Sequence, residues 1–222
     1  MYLAVEPYGR RFWPDGLVGW TRLFAGRVRD PRIGREILVG CALGGAMILV
    51  DVGRGLAPLL IGRPPAIPSI GFDVGALAGP ARTFLAWVQQ FYNGVQLALL
   101  IAMVFVGLRL LVRRTWIAVA IGLVAMSAAA GNNMPYGGVP WLDALAQLAA
   151  VGLVTFAIFR CGLLVTTVVM VVDNIVTAVP IVTGGPSWAA LPANLSIALV
   201  LALACFGYSA ARAGQPLFGR FD

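Results

Sequence analysis

The sequence predicts an all-α membrane protein, a polytopic bundle of about six transmembrane helices preceded by an N-terminal amphipathic interfacial helix. Of its 222 residues, 60% are hydrophobic and 11% are charged, whereas soluble domains are about half apolar and about a quarter charged. Long uncharged intervals recur along the chain. The 16 basic residues, all of them arginine, lie beside these intervals rather than on one polar domain. These three observations favour lipid as the solvent of most of the surface.

Three segments are predicted: a cytoplasmic-face amphipathic segment over residues 1–36, a transmembrane bundle over 37–211, and a cytoplasmic tail over 212–222. In the first segment, apolar residues recur at spacings of three and four, namely Leu17, Trp20, Phe24 and Val28. The opposite face at the same period carries Asp15, Gly19, Arg22, Gly26 and Arg29. This pattern predicts a helix lying in the inner membrane interface, and packing against the bundle is the alternative.

Five of the predicted spans follow from uncharged intervals, because a charged side chain at the centre of a membrane helix costs about 2.5–3.5 kcal/mol. The interval from Thr83 to Leu108 contains 26 residues without a charge and exceeds the roughly 20 residues that cross the hydrocarbon core. Turn-forming clusters such as Gly131-Asn132-Asn133 separate neighbouring spans. The five helices are predicted over residues 84–112, 116–130, 141–159, 163–179 and 192–211.

The remaining span is the first one, and it contains charged residues. The uncharged interval 37–50 gives only about 21 Å of helix at ~1.5 Å per residue. An extension to residue 57 reaches full length if Asp51 and Arg54, three apart on one face, form an ion pair. A re-entrant segment is the alternative. Asp143 lies in the first turn of the fourth predicted span, a position at which the helix dipole stabilises a negative charge.

The arginines predict the orientation of the bundle. With six spans and a cytoplasmic N-terminus, thirteen arginines face the cytoplasm: Arg10, Arg11, Arg22, Arg27, Arg29, Arg32, Arg35, Arg109, Arg113, Arg114, Arg160, Arg212 and Arg220. The outer face keeps Arg54, Arg63 and Arg82. Both termini are therefore predicted to be cytoplasmic. The net charge of +7 is assigned to anionic lipid headgroups and not to nucleic acid, with contacts at Arg27, Arg29, Arg32, Arg35, Arg113 and Arg114.

The chain contains no histidine and no lysine, which argues against most catalytic functions. Without histidine there is no Ser-His-Asp relay and no His-Glu-x-x-His metal site. Without lysine there is no phosphate-binding loop of the common type and no Schiff base. We therefore predict a protein that is not an enzyme and that holds no cofactor or metal.

The candidate functional residues are polar side chains in the outer half of the predicted bundle: Gln89, Asn93, Gln96, Gln147, Asp173 and Asn174. Asp173 is the strongest candidate, because an ionisable residue inside a membrane is costly and is commonly functional. One interpretation is a polar pocket that opens outward and binds a small ligand or ion. The other is structural, with the amides of Gln89, Asn93 and Gln96 hydrogen-bonded to Asp173 and to one another.

Several strings carry a family resemblance: Arg29-Asp30-Pro31 with Gly34-Arg35, Leu110-Leu111-Val112-Arg113-Arg114, Arg160-Cys161-Gly162-Leu163-Leu164 and Gly214-Gln215-Pro216-Leu217-Phe218-Gly219. Together they resemble the multi-pass membrane region that lies C-terminal to the catalytic domain in bacterial eukaryotic-like serine/threonine protein kinases. Those kinases place the catalytic domain and further membrane helices ahead of this region. The first residues of this chain already resemble its interior, which predicts either a stand-alone relative or a fragment.

The resemblance implies a non-catalytic integral membrane domain of the bacterial inner membrane, acting as an anchor and signal-input module. Its implied partners are a kinase domain or a second copy of the chain. Kinase activity itself is not implied, because the ATP-binding lysine and the catalytic-loop histidine have no counterpart in these residues. The alternative function is a small transporter or channel subunit that uses the outer polar cluster.

Overall fold

The computed structural model describes residues 18–64, 74–112, 114–130, 139–179 and 187–212. This part of the chain is all-α: α1 (Val18–Phe24), α2 (Pro31–Leu60), a 3₁₀ turn (Val74–Ala78), α3 (Pro80–Val112), α4 (Thr115–Ala130), α5 (Pro140–Phe156) with a π-helical turn (Ala157–Cys161), α6 (Leu163–Thr177) and α7 (Ser187–Ala211). Several predictions lie outside the described residues, namely those on residues 1–17, Arg113, the turn at Asn132 and Asn133, and the tail from residue 213.

Four helical segments are long and apolar enough to cross a membrane: α2, α3, α5 with its π-helical turn, and the Ala190–Ala211 part of α7. Each predicted span corresponds to a helix, but α4 and α6 contain only 16 and 15 residues. At ~1.5 Å per residue these are about 24 and 22 Å long, shorter than the roughly 30 Å hydrocarbon core. The described structure therefore establishes four helices of spanning length, rather than the predicted six.

Helix α2 is one continuous helix of 30 residues, with no reversal that would make it re-entrant. It begins where Pro31 follows the N-cap residue Asp30, whose side chain accepts a hydrogen bond of 2.9 Å from the Arg32 amide. This amide, together with the Arg22 guanidinium, holds the pKa of Asp30 below its usual value. The capping contact therefore contributes stability above the unfolded pKa of the carboxyl and loses it as the pH falls through the folded pKa.

Helix α6 lies at the centre of the molecule, and most of its side chains are buried on every side of the helix. It packs against α2 and α3, and α7 packs on the outer side of α2. An isolated surface helix would bury one stripe only, so the apolar sequence around the whole circumference of α6 is explained by its neighbours. The main core around α6 includes Ile33, Ile101, Phe105 and Val169.

Consecutive helices alternate in direction, which gathers helix ends into two groups. Gly40 and Gly44 of α2 lie against Val168 and Val172 of α6 in the same order, so these two helices are parallel. One end of the bundle, which we call the arginine-rich end, holds Arg32, Arg35, Arg109, Arg160 and Arg212. The C-terminus of α2 and the N-termini of α3 and α5 lie at the other end of the bundle, which we call the opposite end.

Helix α1 packs against α2 and α6 at the arginine-rich end. Trp20 is only 5% exposed and belongs to the main core, whereas Phe24, on the same predicted apolar face, is 71% exposed. The guanidinium of Arg22 forms an ion pair of 2.6 Å with Asp30. The observed contacts of this seven-residue helix are those expected for packing against the bundle.

Gly40 allows the close approach of α2 and α6, which gives a direct prediction. A Cβ atom at Gly40 would lie 2.5 Å from the Cβ of Val168, whereas one at Gly45 would meet nothing within 4 Å. Gly40→Ala should lower the free energy of unfolding by about 1–3 kcal/mol, because the helices must separate. The measurement is unfolding in mixed detergent micelles, with Gly45→Ala as the control. Equal stabilities of the two variants would contradict this packing.

Candidate functional site: a central cavity

A ring of five helices surrounds a cavity of about 530 Å³. Around the ring, α2 contacts α6, α6 contacts α3, α3 contacts α4, α4 contacts α5, and α5 returns to α2. All five helices contribute to the lining, whereas α1 and α7 pack outside the ring. The cavity is large enough for a small organic ligand.

The walls of the cavity are almost entirely apolar. Gln147 is the one polar side chain among the lining residues that the structure describes. Three of the five helices contribute a methionine, Met47 from α2, Met126 from α4 and Met170 from α6. Flexible thioether side chains of this kind adapt to ligands of different shape.

An aromatic pair separates the cavity from the arginine-rich end. The rings of Phe105 and Phe159 meet edge to face, with centroids 5.0 Å apart, and Phe105 is 1% exposed. Helix α4 approaches this pair at Gly122, where a Cβ atom would lie 2.4 Å from a ring carbon of Phe105. The pair lies beyond Val104 and Val154, the last lining residues of α3 and α5 in that direction.

A buried ion pair lies toward the opposite end. The Arg54 Nε donates a hydrogen bond of 2.8 Å to the Asp143 Oδ1, and the two side chains are 13% and 6% exposed. The pair joins α2 to α5, one turn beyond the lining residue Gln147. Arg54 therefore forms its ion pair with Asp143, 89 residues away in sequence, and not with the predicted Asp51, which still lies within reach of its charge.

Asp173 stands one turn beyond the lining residue Met170. Its Oδ1 atom is buried, and no hydrogen-bond partner for it exists among the described residues. Asp51 follows Met47 by one turn on the neighbouring helix α2 and is partly buried, and neither carboxylate is among the lining residues. Sequence reasoning did not place Asp51 near the cavity, although its spacing of seven from Gly44 and four from Met47 places it on the inner face of α2.

Among the described residues, the amides of α3 form no hydrogen bond to Asp173, whereas the bond between Gln89 and Asn93 agrees with the structural interpretation. Gln89 donates to the Asn93 side chain at 3.1 Å, and Asn93 donates to Gln90 at 3.4 Å. Gln89 and Gln96 are exposed on the outside of the bundle, whereas Asn93 is partly buried one turn before the lining residue Leu97.

The predicted residues thus divide into two groups. Gln147 lines the cavity, and Asp173, Asn174, Asn93 and Gln96 lie within about one turn of its lining residues. Gln89, nearer the start of α3, is not part of this site. In the described ranges, no group of three or more acidic or cysteine side chains is arranged to hold a metal ion.

Searches against protein-family models, curated proteins and solved structures gave no match to this chain. The kinase-region resemblance consequently remains a prediction from the sequence strings. The site must be interpreted from its own geometry.

Proposed function

We propose that this chain is a non-catalytic integral membrane domain that acts as an anchor and signal-input module by binding a small ligand in its central cavity. The observation that carries the proposal is the cavity itself, which is partly open, lined by five helices and apolar except for Gln147. Apolar cavities with a few polar groups at one side are typical of small-molecule sites. The proposed partners of the module are a kinase domain or a second copy of the chain.

The proposed location is the bacterial inner membrane, with both termini in the cytoplasm and the arginine-rich end facing inward. The bias of thirteen arginines to three supports this orientation. Arginines at this end that are exposed would contact anionic headgroups, namely Arg27, Arg29, Arg32, Arg35 and Arg114, with α1 beside the inner interface. The polar side of the cavity then faces outward.

The short helices are compatible with a proposed bundle of six membrane helices. The length of a lipid-exposed helix should match the thickness of the hydrocarbon core. Each ångström of mismatch carries a modest free-energy cost. Helix α6 is surrounded by protein, so its 15 residues need not match that thickness. Its neighbours α2 and α3 are long enough to do so.

Helix α2 provides the physical connection between the cavity and the cytoplasmic side. It carries Met47 and Asp51 beside the cavity, and it carries Arg32 and Arg35 at the arginine-rich end. Its tight packing against α6 makes the two helices move together. A ligand that favours one spacing of α2 and α6 at the cavity would therefore bias the inner end, where α1 packs.

A small transporter or channel subunit is the second candidate, and the polar groups beside the cavity favour it. Transport requires a path to both sides of the membrane, and the pair Phe105 and Phe159 stands in that path. We favour binding and sensing because Phe105 is buried and packs edge to face on the partly buried Phe159. Uptake of amines or small cations into proteoliposomes tests the alternative, and rapid flux would replace our proposal.

Accessibility of a cysteine in the cavity tests the proposed function. In a background with Cys41, Cys161 and Cys205 replaced by alanine, Gln147→Cys should react with a membrane-impermeant methanethiosulfonate added from outside, because water reaches the cavity. Adding Ala150→Phe should slow that reaction at least about tenfold by filling the cavity.

The matched control is Leu195→Cys, an exposed position on the outer side of α7 at a similar depth. Its thiol faces lipid and should not react, because the thiolate is the nucleophile and requires water. An inert Gln147→Cys, or one labelled from the cytoplasmic side alone, would contradict the proposed function.

A further inference from the structure

We propose that the ligand is a neutral, largely hydrocarbon molecule with one terminal hydroxyl or carboxamide group, which hydrogen-bonds to the side chain of Gln147. This inference rests on the proposed function and names its ligand class. It combines three features of the described residues: a cavity lining without charge, the position of Gln147 at one end of that lining, and a Gln147 side-chain amide that has no protein partner.

The lining of the cavity favours a ligand without charge. Of the twelve lining residues that the structure describes, eleven are apolar and none is ionisable. Transfer of an ionised group from water into such a site costs far more free energy than transfer of a hydroxyl or an amide. The Asp143 carboxylate, one turn from Gln147, is already paired with Arg54. The other nearby carboxylates, of Asp51 and Asp173, are not part of the lining.

The side-chain amide of Gln147 is available to a ligand. Gln147 is partly buried and faces the cavity, and within the described part of the chain its side-chain amide forms no hydrogen bond. An amide offers two N–H donors and one carbonyl acceptor. A hydroxyl or a carboxamide can donate to that carbonyl and accept from those donors, whereas an ether or an ester can only accept. The two-way exchange favours an alcohol or a carboxamide.

Gln147 lies at one end of the cavity, so the polar group of the ligand should also be terminal. Along α5 the lining residues run from Gln147 to Val154, and along α3 they run from Leu97 to Val104. Seven residues of helix correspond to about 10 Å. Over this length the described lining beyond Gln147 is apolar, as far as the aromatic pair at Phe105. The hydrocarbon body of the ligand would extend from Gln147 toward that pair.

The volume of the cavity allows a hydrocarbon body larger than a single ring. At about 530 Å³ it is more than three times as large as an engineered apolar cavity of ~150 Å³ that binds benzene. Such apolar space stays dry, because a water molecule there finds no polar partners. A hydrocarbon body would instead contact the flexible side chains of Met47, Met126 and Met170.

The depth of Gln147 favours a small free molecule over a membrane lipid. Gln147 follows Pro140, the first residue of α5, by seven residues, which is about 10 Å of helix. A phospholipid would have to draw its charged headgroup that far into the bundle to reach the amide. An acyl chain that entered alone would leave the amide without a partner, which is unfavourable.

Photocrosslinking in proteoliposomes tests the ligand class. An octan-1-ol analogue with a diazirine at the chain terminus should label Val104 and Val154, whereas a diazirine beside the hydroxyl should label α5 near Gln147. At equal membrane concentration, octan-1-ol or octanamide should displace these probes at least about tenfold better than octylammonium or octanesulfonate. Equal displacement by either ion would overturn the neutral ligand. The opposite order of the two labels would overturn its orientation.

Two variants test the hydrogen bond to Gln147. Gln147→Leu should weaken displacement by octan-1-ol about two- to tenfold, as expected for one hydrogen bond, and should leave displacement by octane unchanged. Gln89→Leu removes an amide outside the site and should change neither. An unchanged affinity for octan-1-ol in Gln147→Leu would overturn the role of the amide. If that variant does not fold, the unaltered protein provides the test, because equal displacement by octane and octan-1-ol would leave a purely apolar site.

A phospholipid with a diazirine in its acyl chain distinguishes the two sources of hydrocarbon. Labelling of Val104 and Val154 by this lipid, without displacement by octan-1-ol, would overturn the choice of a free molecule. Absence of cavity labelling by every probe would instead contradict the proposed function. The failure of the ligand class and the failure of the proposed function are therefore distinguishable.

Discussion

Replacing Asp143 by asparagine should lower the free energy of unfolding by about 3–5 kcal/mol. The substitution keeps the size of the side chain but removes the charge that balances Arg54. The guanidinium is 13% exposed, and its Nη2 already has no hydrogen-bond partner among the described residues. It would therefore remain as a buried charge that has lost its ion-pair partner. Unfolding in mixed micelles of a mild detergent and dodecyl sulfate gives the measurement.

Two further variants separate the buried charge from other effects of the Asp143 substitution. Arg54→Met combined with Asp143→Leu removes both charges and should recover most of the loss, because a buried ion pair contributes little net stability over apolar residues. The matched control is Glu36→Gln in the pair Arg32–Glu36, where Arg32 is 44% exposed. It should change the stability by no more than about 1 kcal/mol. An equally small loss for Asp143→Asn would mean that water screens the Arg54 charge.

Replacing Phe105 by alanine is the second prediction with a large expected effect, a loss of about 3–5 kcal/mol in the free energy of unfolding. Phe105 is 1% exposed and packs against Phe159 and Gly122. Truncation removes this packing and joins the resulting void to the cavity. Phe91→Ala is the control, since Phe91 is 57% exposed on the same helix.

Phe105→Ala should also open the cavity toward the arginine-rich end. In the cysteine-free background, Gln147→Cys should then react with an impermeant reagent supplied from the cytoplasmic side of inverted vesicles. With Phe105 intact it should not react from that side. Stability close to that of the parent protein, together with unchanged sidedness, would show that the aromatic pair does not close the cavity.

The helices were predictable because their signals are local. The interval 84–112 became α3 at Pro80–Val112, and 163–179 became α6 at Leu163–Thr177. Absence of charge and the positions of glycine and proline act over a few residues, so they can be seen in a linear sequence. The short lengths of α4 and α6 could also be anticipated from the sequence. Whether a short helix faces lipid could not be anticipated, because that depends on which helices pack around it.

The cavity was not predictable, because it belongs to the arrangement of five helices and to no single segment. Asp173 was singled out as an ionisable residue inside the bundle, and the structure shows it partly buried, whereas Asp51 was assigned to Arg54 by a local spacing rule. The structure replaces that pairing by a contact between α2 and α5. The polar stripe of Gln89 and Gln96 was taken to face inward, although helical periodicity alone cannot indicate which neighbour a stripe meets.

The long sequence separation of Arg54 and Asp143 has a consequence for biosynthesis. Helix α2 is made 89 residues before the carboxylate that compensates its guanidinium. During that interval the nearest acid along the nascent chain is Asp51, one helical turn away. Asp51 can therefore accompany Arg54 through membrane insertion before α5 arrives. On this account, the carboxylate that first assists insertion is later replaced as the ion-pair partner by one from a helix made afterwards.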